Sequence, residues 1–115
     1  MTVLTHLDET ALDEMAQPPA EQQVLRLAKL AVAAGVGGIV CSPRELGVLR
    51  AALGDDVYLV TPGIRMAGAA SDDQKRTLDP AGAVKAGASA LVIGRPITAA
   101  ADPAAALAEI KRSLA

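Results

Sequence analysis

The chain has 115 residues, enough for one domain with a core if the fold closes on itself. Hydrophobic residues make up 51% and charged residues 21%, a globular composition, and the net charge of -2 carries no basic run beyond Lys75-Arg76, which argues against a nucleic-acid partner. No apolar run approaches the roughly 18 residues of a membrane span, and the stretch from Met1 to His6 lacks the flank and length of a secretory signal. One cysteine, Cys41, excludes an intrachain disulfide, and the cytoplasm is the natural compartment. Tyr58 is the lone aromatic residue, so the core has to be built from Ala, Val, Leu and Ile.

Thr2-Val3-Leu4 reads as a short strand, with Thr5-His6-Leu7 as its loop. Asp8 and Glu9 open a short helix with acids in its first turn, and Pro18-Pro19 stops it. A longer amphipathic helix is predicted over 20–34. Its apolar stripe is Val24, Leu27, Ala28 and Ala31, and Gly35 is its left-handed cap. The second strand, 38–41, ends in Cys41. Ser42, Pro43 and Glu45 then have the parts of a capped helix start, with serine at N-cap, proline at N1 and glutamate at N3. That helix runs to Leu53 and stops at Gly54; Asp55-Asp56 form a solvated turn.

The third strand, 57–60, leads into Thr61-Pro62-Gly63-Ile64-Arg65 and then a polar loop over 66–77 that holds Gln74. Asp79-Pro80 begins a helix capped by Gly87, the fourth strand covers 90–93, and Gly94-Arg95-Pro96 follows it. Asp102-Pro103 starts the last helix, which carries Lys111 and Arg112 in its final turn, against the dipole. The pattern is strand then helix, four times over. Short strands that are apolar throughout belong to a parallel sheet with function at its carboxyl ends.

Two strands that each deliver glycine and arginine at that end, Gly63 with Arg65 and Gly94 with Arg95, form an anion-binding device. Glycine lets a ligand approach the backbone, and arginine presents a planar fork of donors that matches phosphate. Cys41 has no histidine beside it to make it a nucleophile, and no His, Cys and carboxylate cluster has ligand spacing, so neither metal nor cofactor is expected.

Leu59-Val60-Thr61-Pro62-Gly63-Ile64-Arg65, Asp73-Gln74-Lys75-Arg76 and Val92-Ile93-Gly94-Arg95-Pro96-Ile97-Thr98, in this order and spacing, closely resemble orotidine 5'-phosphate decarboxylase. Thr2-Val3-Leu4-Thr5 and Gly38-Ile39-Val40-Cys41-Ser42 are similar to that family's fifth and sixth barrel strands. The resemblance implies an α/β fold, a (βα)4 half of a TIM barrel made of strands five to eight. It covers the chain as a single half-barrel domain, 1–115.

The resemblance also implies the site. Gly94 and Arg95 would hold the phosphate of orotidine or uridine 5'-monophosphate, and Gln74 would reach over it from the loop. Arg65 would contact ligand or only anchor the loop to Asp72 or Asp73, and Thr5 would contact the pyrimidine or serve as a plain strand residue. The family's catalytic Asp-x-Lys-x-x-Asp motif, which supplies carboxylates and an ammonium around the developing carbanion, lies on the other half. Nothing in this chain matches it, so no residue here is assigned a catalytic role, and the chain alone is expected to be inactive. Half a barrel also exposes its interior sheet face and two strand edges. Homodimerisation or the missing N-terminal half-barrel would cover them. An alternative reading is a stand-alone half-barrel that self-assembles and binds phosphate weakly.

Overall fold

The computed structural model describes residues 9–14, 19–65 and 78–115. The elements in order are α1 (Glu9–Glu14), α2 (Ala20–Ala33), β1 (Gly38–Val40), a 3-10 turn (Pro43–Glu45), α3 (Leu46–Leu53), β2 (Tyr58–Thr61), α4 (Pro80–Lys85), β3 (Ala90–Leu91), α5 (Arg95–Thr98) and α6 (Pro103–Ser113). The expected first strand at 2–4 lies outside the described residues.

Helix ends follow the local chemistry. Pro19 precedes α2 and offers no side-chain cap, so the first amide is satisfied from another helix: both Glu9 carboxylate oxygens accept from Ala20 N–H at 3.2 Å. The α2 terminus closes with Gly35 N–H donating to Val32 O and Val36 N–H to Ala31 O, which puts Gly35 at φ +88°. The α4 terminus repeats the device with Gly87 N–H to Val84 O and Ala88 N–H to Ala83 O, Gly87 standing at φ +107°. Both are left-handed caps that turn the chain back toward the sheet within a few residues. At Ser42 the capping box forms as the sequence requires, with Ser42 N–H donating to Glu45 Oε2 at 2.8 Å. The first turn is 3-10 and not α.

The three strands are parallel and lie in chain order, β1-β2-β3. Gly38 pairs with Tyr58, Ile39 with Leu59, Val40 with Val60, Val60 with Ala90 and Thr61 with Leu91. A sequential parallel order without a reversal is the arrangement of a (βα) barrel segment and not of a doubly wound sheet. The third strand is shorter than the predicted 90–93. Beyond Leu91 the backbone departs toward α5, a single turn that the sequence pattern did not reveal.

Side-chain burial alternates along the strands. Ile39, Cys41, Leu59 and Thr61 are buried against the helices, in a core with Val24, Ala28, Leu46, Leu49 and Ala83. On the opposite face Gly38 and Tyr58 are exposed, and Val40 and Val60 are half-buried. The principal extents are 42 × 33 × 18 Å, the thinnest being that of one sheet and one helix layer.

The amino-terminal ends of β2 and β3 are tied by one side chain from α3. Arg50 donates through Nε and Nη2 to Gly87 O at 2.9 and 2.7 Å, and through Nη2 to Ser89 Oγ at 2.9 Å. Through Nη1 it donates to Val57 O at 2.8 Å and to Gly54 O at 3.0 Å. Ser89 Oγ also accepts from Leu59 N–H at 3.0 Å, so a single cluster sets the level of the two strands.

Candidate functional site

The carboxyl ends of β2 and β3 diverge and leave a cleft of about 260 Å³. Pro62, Gly63, Ile64 and Arg65 form one side, and Val92, Gly94 and Arg95 the other. Each side is fixed by the chain beneath it. Val92 N–H donates to Thr61 O at 2.9 Å, extending the β2–β3 ladder to the floor of the cleft. Gly63 turns the backbone at φ +78°, a conformation that a side chain would strain. Ile64 is then buried in the core and bridges to Leu78, and Arg65 N–H donates to Leu78 O at 3.1 Å. The chain thus leaves for 66–77 and returns at one neck beside the cleft.

On the other side, Ile97 and Thr98 N–H both donate to Gly94 O, at 2.9 and 3.0 Å, so that Arg95 starts α5 at the cleft edge. A Cβ added to Gly94 would meet nothing within 4 Å. The backbone there faces open space, as a close approach by a ligand demands. None of the described lining residues is acidic, and two are arginines. A dianion would meet two guanidinium groups and an unshielded stretch of backbone.

Of the residues singled out from sequence, Arg65, Gly94 and Arg95 converge on this cleft. Thr5 and Gln74 lie outside the described residues. Pro62, Ile64 and Val92 complete the lining. Their apolar chemistry gave no signal of a site role, though each adjoins a flagged glycine or arginine in the sequence. Cys41 sits behind the cleft level on the helix-facing side, 2% exposed. Burial pushes its thiol up to about 11 and the Glu45 carboxylate adds to the rise; the Thr61 hydroxyl pulls the other way without forming a well-shaped hydrogen bond. Such a thiol stays protonated and is not a nucleophile near neutral pH.

A sequential parallel α/β sheet with a cationic, glycine-edged cleft at its carboxyl ends places the chain among the anion-binding (βα) barrel segments. Residues 1–110 match the family model of orotidine 5'-phosphate decarboxylase / HUMPS, and the chain belongs to that family. It is 56% identical to the orotidine 5'-phosphate decarboxylase of Anaeromyxobacter sp. strain K over 99% of this chain and 51% of that protein. It is 53% identical to that of Idiomarina loihiensis, over 99% of this chain and 50% of the other. The crystal structure of orotidine 5'-phosphate decarboxylase from Lactobacillus acidophilus superposes with a TM-score of 0.81 at 41% identity, covering 98% of this chain and 46% of that one. The chain therefore spans about half the length of the curated relatives it matches. Among the described residues, no helix is long and apolar enough to cross a membrane.

Proposed function

We propose that this chain is the phosphate-binding half of an orotidine 5'-phosphate decarboxylase, acting in pyrimidine biosynthesis and unable to decarboxylate alone. The observation that carries the reading is the convergence of Arg65, Gly94 and Arg95 on one cleft at the strand ends, with no described acid among its lining. Arg95 and the Gly94 backbone grip the phosphate of orotidine or uridine 5'-monophosphate. Arg65 adds charge from the loop neck, and Gln74 and Thr5 supply the remaining contacts to phosphate and pyrimidine.

The chemistry of decarboxylation without a cofactor requires an ammonium to protonate the vinyl carbon and carboxylates to hold that ammonium in place. The sequence contains no Asp-x-Lys-x-x-Asp pattern to provide them. Binding energy at the phosphate is useful only when it is coupled to such groups, so turnover requires the half of the barrel that carries them.

The test is to titrate the pure chain with uridine 5'-monophosphate and inorganic phosphate, and to assay decarboxylation with and without a first-half fragment. Binding that Arg95→Ala weakens about tenfold or more, with turnover only in the mixture, is the expected result. Turnover by the pure chain would overturn the division of labour. Failure to bind either ligand, alone or in the mixture, would remove the phosphate assignment.

A further inference from the structure

We infer that the open face of the sheet is a self-complementary docking surface on which a second copy of this chain closes an eight-stranded barrel. The inference rests on the fold and holds or fails independently of phosphate binding.

A compact chain of 11.6 kDa exposes about 5,840 Å². This chain exposes 6694 Å², an excess of about 850 Å². Its radius of gyration, 14.8 Å, also exceeds the roughly 13.3 Å of a compact chain of this length. A stable interface takes about 800 Å² from each partner, so the excess has the size of one half of such an interface.

The open face has the chemistry to match. Val40, Val60 and Tyr58 project from it, with Val92 just beyond β3; Tyr58 and Val92 are each 54% exposed. No charged residue stands at these positions, so two chains of net charge -2 meet here without like charges opposed. A twofold interface requires knob and hollow on the same patch, because each copy presents the same surface. Gly38, exposed and paired in register with Tyr58, leaves a hollow beside the projecting ring. Parallel strands in chain order, with helices on one side only, form an arc that a twofold axis can close, which covers both the apolar face and the strand edges.

The experiment is light scattering on the pure full-length chain across a dilution series, with Tyr58 emission and its quenching by acrylamide followed in parallel. Tyr58 is the lone aromatic, so its signal reports this face directly. The expected result is a dimer in which Tyr58 is shielded. Tyr58→Lys and Val92→Glu should convert it to a monomer of unchanged helical circular dichroism, since both side chains are already half exposed. A folded monomer with quenchable Tyr58 overturns the inference, as does an open-ended aggregate. A dimer indifferent to both substitutions places the contact elsewhere and overturns it too. So does a chain that stays monomeric alone and pairs only with a first-half fragment.

Discussion

The two ends of the same sheet use arginine in opposite ways. At the amino-terminal end Arg50 directs its donors at the carbonyls of Gly54, Val57 and Gly87 and at the Ser89 hydroxyl, all within the protein. At the carboxyl-terminal end Arg65 and Arg95 line a cleft edged by Gly63 and Gly94. The glycines differ in the same sense. A Cβ on Gly87 would come within 2.6 Å of Arg50 Cγ, whereas one on Gly94 would meet nothing. One end is filled by its own side chain and the other is left open for a ligand. The lesson is that a glycine–arginine pair is by itself ambiguous between a staple and a site. The space around it decides which it is.

That contrast can be broken by substitution, and the largest effect should come from the closed end. Arg50→Met keeps the aliphatic stem but leaves several carbonyls without donors. It should cost about 3 kcal/mol of stability in urea unfolding while leaving the cleft residues intact. A loss under 1 kcal/mol would show that water replaces the guanidinium without penalty. At the open end, Arg95→Ala should change stability by less than about 0.5 kcal/mol, because Arg95 is exposed, yet weaken phosphate binding by about 1.5–3 kcal/mol in calorimetry. Equal effects of the two substitutions on stability would erase the distinction between the ends.

A smaller effect is expected between them. Ser42→Ala removes the N-cap acceptor of the turn that leads into α3 and should cost about 1 kcal/mol. The smallest concerns Cys41. Its thiol is raised from the ordinary value of 9.0 to about 11, so the folded state holds the proton more tightly than the unfolded chain. The stability linked to it is fully present below about pH 9 and is lost as pH rises through about 11. Unfolding measured from pH 7 to 10.5, compared with Cys41→Ala, should show that extra loss only in the chain with the thiol. Native Cys41 should also resist iodoacetamide at pH 7.5.

Much of this was legible locally. The capping box at Ser42, the glycine caps at Gly35 and Gly87, the Asp79 and Asp102 N-caps and the strand cores around Ile39 and Leu59 all arise from interactions within a few residues. The strand-end glycines and arginines were visible because their spacing repeats a family pattern. What was not legible is long-range. Arg50 meets Gly87 and Ser89, 37 and 39 residues downstream, and nothing around Arg50 in the sequence marks it. The shortening of β3 and the single turn of α5 are likewise settled by where the ladder to Thr61 ends.

The sequence by itself determined the alternation of strand and helix, the helix ends and the candidate anion-binding groups, because these depend on side-chain chemistry over one or two turns. Only the tertiary structure decided that Arg65, Gly94 and Arg95 share one cleft, and that Ile39 and Leu59 are covered while Tyr58 and Val92 are not. Strand order and layer packing bring distant residues together, and which face of a sheet is covered depends on what else is present to cover it.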